Sequence, residues 1–260
     1  MTGTASSMPE LDIVIPVYNE RHNIIGVLDA LRQGVKTSFR VLICYDFNED
    51  DTLPALQEYP PDAVDIVLIK SDGHGPHDAI VAGFRASTAP AVLVYPADDY
   101  WNADRLDAMV KLVRQGCDIV CASRFIPGGS MVNCPLVKAM LVHTAAFTLY
   151  HCARVPSHDP THGFRIFSRR VVDGIEIQSS KGFALSMELL VKVHRLGWKV
   201  AEVPTLWEER GEGQGKSRFR AFRWMPSYLR WYFYAFVTTY LFRGAGTVSV
   251  NKTNDEQALL

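Results

Sequence analysis

The sequence predicts an α/β fold: a mostly parallel sheet with helices on both faces. Three observations predict it. Short β-rich runs alternate with helical patterns at the spacing of βαβ units. The runs are continuously apolar instead of alternating, as in strands buried on both faces. Acidic residues follow several of those runs, which gathers them at one predicted edge of the sheet, where open parallel sheets bind ligands.

Each element has its own signal. LDIVIPV (residues 11–17) is a β-rich run carrying Pro16 near its end, and Ile24, Ile25, Leu28 and Leu31 follow at helical spacing. FRVLICY (Phe39–Tyr45) is a second buried strand, followed by an acidic loop and a short helix near 53–59. AVDIVLIK (63–70) is a third strand, and GHGPHDAIVAGFRAS reads as a turn running into a helix. APAVLVY (89–95) is the fourth strand, 104–114 an amphipathic helix and CDIVCAS (117–123) the fifth strand. After Ser123 the rhythm changes. A Gly/Pro loop, RFIPGGSMVNCP, leads to a helix near 136–151, and VPSHDPTHGFR reads as a loop. A helix over 183–196, a strand KVAEVPTLW and a polar glycine-rich loop, EERGEGQGKSRF, come next.

Composition narrows the function classes. The chain has 260 residues, 48% of them hydrophobic, enough for one large domain. Its net charge of −1 supplies no global basic field for nucleic acid. Five cysteines, an odd number without CxxC spacing, point to core packing for Cys117 and Cys121. MTGTASSMPE lacks the apolar stretch of a signal peptide, so a reducing cytoplasmic setting is expected. WYFYAFVTTYLF (231–242) is uncharged and flanked by Arg230 and Arg243. As a helix it covers roughly 18 Å, short of the roughly 30 Å hydrocarbon core of a bilayer. Two readings stand: an interfacial helix with its aromatics at the headgroups, or a helix packed on the domain.

The residues that follow the strands suggest the chemistry. Pro16, Tyr18, Asn19 and Glu20 follow or end the first; Asp46, Glu49, Asp50 and Asp51 the second; Gly73-His74-Gly75 the third; Asp98 and Asp99 the fourth; Arg124 the fifth. Adjacent carboxylates repel and are costly to bury, and a divalent cation, Mg²⁺ or Mn²⁺, resolves both problems. Asp99 serves equally well as the cap of the helix that follows. His158 and His162 have i, i+4 spacing, but Pro160 between them breaks any helix, so a loop role is expected.

Taken in order over roughly residues 12–218, these motifs resemble the family 2 glycosyltransferases of GT-A (Rossmann-like) fold, and among them the dolichyl-phosphate mannosyltransferase-like group. DIVIPVYNE resembles the family's opening strand, with Pro16, Tyr18 and Glu20 in nucleotide-contacting positions. YDFNEDDT is a degraded DDGSxDGT loop in which Asp46, Asp50 and Thr52 match. GHGPHDAIVAGF resembles the G-x-G-x-A-x-x-x-G segment, which adds Gly73 and Gly75 to the expected nucleotide site. SRFIPGG and DPTHGFRIFSR resemble the SRY-x-x-GG and D-x-T-x-x-FR elements, and carry Arg124 and Arg165 as candidates for an acceptor phosphate. KGFALSMELLVKVHRLGWKVAEVP resembles the KGY-to-EVP segment, with Glu188 in its acid position. ERGEGQGKS keeps the spacing of Arg210, Gly213 and Lys216 in the family's DR-x-x-GESK loop.

The resemblance implies an inverting, metal-dependent transfer of a sugar from a nucleoside-diphosphate sugar to a polyprenyl phosphate. Asp98 would bind the metal, and Arg210 and Lys216 would add positive charge at the leaving diphosphate. An already anionic acceptor needs no strong base; a hydroxyl acceptor would need one, with Asp99 or Glu188 as candidates. The family usually places Asp-x-Asp after the fourth strand. Here the aligned residues are Pro96, Ala97 and Asp98, so the first acid is missing and Asp99 or Asp46 would have to compensate. A hydroxyl-acceptor enzyme and a non-catalytic sugar-nucleotide binder are the alternatives. The expected organisation is a polar tail (1–10), a GT-A domain (11–219), an aromatic helix (220–243) and a disordered tail (244–260). Residues 224–243 are the candidate membrane contact, which would set the chain on the cytoplasmic face of a membrane.

Overall fold

The computed structural model describes residues 8–209 and 221–251, the side chains of 221–223 excepted. Its main sheet has seven strands in the order β3-β2-β1-β4-β7-β5-β8. β1 (Leu11–Pro16), β2 (Phe39–Tyr45), β3 (Ile66–Lys70) and β4 (Ala91–Val94) are mutually parallel. β5 (Ile119–Ser123) and β8 (Val200–Pro204) are parallel to each other. Between β4 and β5 lies β7 (Arg165–Ser168), antiparallel to both. The sequence reading placed no strand there, because a four-residue run beside a turn-rich loop carries little periodic signal.

The helices sort onto the two faces by strand alternation. Ile13, Ile15, Val41, Ile43 and Leu93 point to one core with α1 (Ile24–Gly34) and α4 (Leu106–Arg114). Val14, Leu42, Cys44, Val92 and Val94 point to the other, with α3 (Pro76–Ala86), α7 (Ala184–Arg195) and α8 (Ala221–Tyr240). Fully burying such a side chain stabilises by about 1.5–3 kcal/mol. α3 starts with Pro76 in its first turn, where the missing N–H costs nothing. It approaches the sheet closely at Gly83, where a Cβ would sit 2.5 Å from Val14 Cγ1. Cys121 is in the second core, and burial pushes the Cys44 thiol up to about 12. The described cysteines are all free thiols.

The second half departs from the sequence reading in two further places, the strand KVAEVPTLW and the C-terminal tail, and matches it at the helix near 136–151. The expected strand KVAEVPTLW is split: β8 stays in the main sheet, while β9 (Leu206–Glu208) pairs in parallel with β6 (Ser130–Val132) in a separate two-stranded ribbon. The helix near 136–151 is α5 (Leu136–Phe147) followed by a π-helical turn, Thr148–Cys152. Part of the tail expected to be disordered folds back. Val250 bridges Ile175, and Tyr234 donates to the Thr247 carbonyl. α2 (Thr52–Gln57) and α6 (Arg169–Gly174) are short connecting helices.

Opposite the carboxyl edge, a buried carboxylate ties the sheet together. Asp12 accepts two hydrogen bonds from the Arg40 guanidinium, one from Ser87 Oγ and two from the Thr88 and Ala89 amides. Burial pushes its pKa up, but the Arg40, Ala89, Ser87 and Thr88 hydrogen bonds outweigh it and the net shift is downward. A lowered folded pKa contributes stability above the ordinary carboxylate value, and that contribution is lost as pH falls through the folded value. Asp12→Ala is expected to cost about 3 kcal/mol in urea unfolding at neutral pH, because it strands Arg40 and two amides. The difference between variant and wild type should shrink as pH drops below about 4.

Candidate active site

The carboxyl ends of β1, β2, β3 and β4 bring the predicted residues to one edge, but most of the acids there are committed to backbone amides. Asn19 has φ +54, and its amide donates to both oxygens of buried Asp50 at 3.1 Å. The Glu20 amide donates to Thr52 Oγ1 at 2.9 Å and the Arg21 amide to Asp51 Oδ1 at 3.1 Å. These bonds zip the loop after β1 to the loop after β2. Glu20 is buried and accepts from Asn23 Nδ2. Pro16 pairs with Cys44 at the end of β1, and exposed Tyr18 packs edge-on to Phe47, centroids 5.2 Å apart.

Asp46 differs from its neighbours. Its Oδ2 accepts from the Gly75 amide at 2.6 Å, while Oδ1 is buried and has no hydrogen-bond partner. Burial raises its pKa, against the lowering effect of the Gly75 amide. Gly75 has φ +96, a conformation that favours glycine, and a Cβ at Gly73 would fall 2.2 Å from Asp78 Oδ2. Both glycines therefore shape the backbone that faces Asp46. A buried acceptor without a donor is costly, and a ligand N–H would satisfy it.

The turn after β4 separates its two aspartates. Asp99 is buried, and Oδ1 accepts from the Trp101 and Asn102 amides while Oδ2 accepts from Asn102 Nδ2. Asp99 thus closes the turn ahead of the helix instead of capping the helix, whose N-cap is Asn102, and this leaves it poorly placed as a metal ligand or a base. Asn102 also exchanges hydrogen bonds with the Leu206 backbone, which ties the turn to β9. Buried Tyr95 donates to the Asp99 carbonyl and packs edge-on to Phe164. Asp98 is half-buried on this braced turn. Among the described residues no group of three or more His, Cys, Asp or Glu forms a self-contained metal site. A single carboxylate fits an Mg²⁺ or Mn²⁺ ion whose other ligands are diphosphate oxygens and water.

The acceptor-side candidates are deeper than the sequence reading expected. Arg124 donates from Nε (2.6 Å) and Nη2 (2.8 Å) to buried Asp159, and its own amide donates to the same carboxylate. Burial pushes Asp159 up, but the Arg124 hydrogen bonds and charge bring it down to about 2. The outer face of the Arg124 guanidinium lies over Phe125 and Trp207. Arg165 is fully buried and donates to the Ser186 and Asp159 carbonyls. It braces this knot and is not presented to an acceptor phosphate. Asp159 is the residue that sequence reasoning missed, although the D-x-T-x-x-FR resemblance contained it.

Glu188 is corrected in the same way. It is fully buried, accepts from Lys192 Nζ at 2.6 Å and takes the Gln178 and Ser179 amides. A general base must reach a substrate proton. Glu188 instead holds the segment leading into Lys181-Gly182-Phe183. His158 pairs with Glu202 and stacks on Tyr150, and His162 Nδ1 bonds the Ala122 carbonyl, so both histidines have structural partners. Arg210 and Lys216 lie outside the described residues.

The sheet order defines a mostly parallel α/β chain with its polar residues gathered at one edge, and residues 12–175 match the model of glycosyl transferase family 2. The chain belongs to that family. Its relatives include the dolichol-phosphate mannosyltransferase of Pyrococcus furiosus, 27% identical over 85% of this chain and 64% of that protein. This chain thus spans under two thirds of that relative's length. The polyprenol monophosphomannose synthase of Mycolicibacterium smegmatis is 29% identical over 78% of this chain and 79% of its own. Glucosyl-3-phosphoglycerate synthase from Mycobacterium tuberculosis, solved with Mn²⁺, uridine diphosphate and glucosyl-3-phosphoglycerate, shares the fold. Its TM-score is 0.63 at 14% identity, over 94% of this chain and 86% of that one.

The Arg124–Asp159 pair sets a stability prediction. Asp159→Ala should cost about 3–5 kcal/mol in chemical denaturation, because it leaves Arg124 charged and unpaired in the interior. Asp159 contributes this stability above the ordinary carboxylate pKa. In the wild type it should persist to mild acid and fade as pH falls toward about 2.

Proposed function

We propose that the chain transfers a sugar from a nucleoside-diphosphate sugar to a polyprenyl phosphate, with inversion at the anomeric carbon. The observation that carries the donor half is the buried, unpartnered Oδ1 of Asp46 beside the Gly75 amide. It suits the N–H of a nucleobase, with Tyr18 and Phe47 close by to cover the ring. The acceptor half is supported by the relatives' names.

Asp98 would hold the divalent cation, Mg²⁺ or Mn²⁺. When bound, that ion neutralises charge on the departing diphosphate. Arg210 and Lys216 would add charge from the glycine-rich loop, and Pro96 leaves the sugar side of the turn without the usual carboxylate. A phosphate oxygen is already anionic and attacks without a general base, which accords with Glu188 being committed to Lys192. The aromatic helix would meet the membrane from which such an acceptor is drawn.

The test is incubation of the purified chain with labelled sugar nucleotides, Mn²⁺ and a short-chain polyprenyl phosphate. Label should move into an acid-labile, butanol-extractable product. Label passing only to water-soluble hydroxyl acceptors would overturn the acceptor assignment. Asp98→Asn should lower metal-dependent turnover by about 100-fold or more while the melting temperature holds; wild-type turnover in that variant would remove Asp98 from the metal role. Asp46→Ala should weaken nucleotide binding by about tenfold in calorimetry. In the wild type, binding should weaken as pH falls through the raised pKa of Asp46, because its protonated form is the poorer acceptor.

A further inference from the structure

One ring nitrogen in the loop before β7 is held in place and left unused. β7 runs antiparallel between β4 and β5, and its first residue, Arg165, sits opposite Val94 of β4 and Cys121 of β5. Residues 159–164 therefore enter the sheet from its carboxyl edge, between the turn that carries Asp98 and the loop that carries Arg124. Both sides of this crossing are fixed. Asp159 takes the Arg124 guanidinium. Phe164 packs edge-on to Tyr95, centroids 5.0 Å apart, and Tyr95 holds the Asp99 carbonyl. Phe183 backs the loop at Gly163, where a Cβ would meet its ring at 3.4 Å.

His162 lies in the middle of the crossing. Its Nδ1 is 3.1 Å from the Ala122 carbonyl oxygen. A carbonyl only accepts, so Nδ1 carries the proton and the neutral ring keeps its lone pair on Nε2. Nε2 makes no hydrogen bond among the described residues, and the ring is only partly buried. Burial and the Arg124 charge outweigh Asp159 and the Ala122 carbonyl, and they pull the His162 pKa down to about 4. Nε2 is thus an acceptor at neutral pH, which decides what it can meet. A phosphate oxygen also only accepts, so it gains nothing there. A general base for a hydroxyl acceptor should titrate near the working pH, and this ring does not. A hydroxyl that keeps its proton is the partner that fits.

We propose that His162 Nε2 accepts a hydrogen bond from a hydroxyl of the transferred sugar and so helps to select the donor. The neighbouring turn carries Pro96 where a carboxylate is usual, so the side chain of residue 96 offers a sugar hydroxyl no acceptor. His162 supplies one from the adjoining loop. Its anchor on Ala122 and the packing of Phe164 keep the ring oriented before the ligand arrives, which lowers the cost of reading it. The assignment rests on the transferase reading.

Calorimetry on the full chain with Mn²⁺ tests it. The probes are UDP and GDP, with the glucose, mannose and N-acetylglucosamine conjugates of each. His162→Asn keeps an N–H near the Nδ1 position for the Ala122 carbonyl and places nothing at Nε2. It should bind the bare diphosphate as the wild type does, and the conjugate that the wild type binds best about fivefold more weakly. His162→Gln carries an amide oxygen toward the Nε2 position and should recover part of that loss. Unchanged diphosphate binding also reports that the variants are folded. An Asn variant that binds the conjugate as tightly as the wild type would overturn the proposal and leave the transferase reading standing. Equal losses for the diphosphate and its conjugate would overturn it too, because His162 would then act on the nucleotide or on the loop's fold. A wild type that binds none of the probes counts against the transferase reading itself, and the proposal falls with it.

Discussion

The buried pair Arg124–Asp159 is the interaction on which the acceptor half of the molecule depends. It joins the end of β5 to the loop before β7, and Arg165 extends the knot to α7 through the Ser186 carbonyl. β7 is antiparallel between β4 and β5, so it can enter the sheet only if the chain turns back at that loop. Charges so deep need both partners and their hydrogen bonds satisfied. Arg124 meets this with a two-oxygen contact to Asp159 and lies over the rings of Phe125 and Trp207.

The carboxyl edge shows how few of its acids remain available for a ligand. Asp50, Asp51 and Asp99 are used on backbone amides, where they close turns and join neighbouring loops. Asp46 keeps one buried oxygen without a hydrogen-bond partner, and half-buried Asp98 is the carboxylate proposed for the metal. The two end neighbouring loops of the sheet, after β2 and β4, with β1 between their strands. Such a separation suits one group reading a base while the other faces a diphosphate. The rigidity of the turn after β4 comes from Tyr95, Asn102 and Leu206, none of which carries charge.

Much of this was legible in the chain. The first five strands and their helices were readable because apolar runs and helical periods are local signals. The motif order from Asp12 onward indicated the family; its seat after the fourth strand singled out Asp98, and the resemblance to the family's loop after the second strand singled out Asp46. The second half was less legible. β7 and the split of KVAEVPTLW into β8 and β9 depend on pairing partners far away in sequence, which no local pattern encodes. Glu188 and Arg165 looked like reactive groups because residue type and motif do not report depth. Lys192, four residues on, was the available signal for Glu188, since i, i+4 Glu–Lys pairs meet on a helix.

By itself the sequence determined the α/β class, the family and the set of polar groups brought to one edge, because these follow from local periodicity and ordered motifs. Only the tertiary structure decided which of those groups remain free to act. Burial and amide donors consumed Asp50, Asp99 and Glu188, and they left Asp46 Oδ1 without a donor. It likewise decided that the apolar α5 and the outer side of α8 stay uncovered, since hydrophobicity in a sequence does not say which face finds a partner.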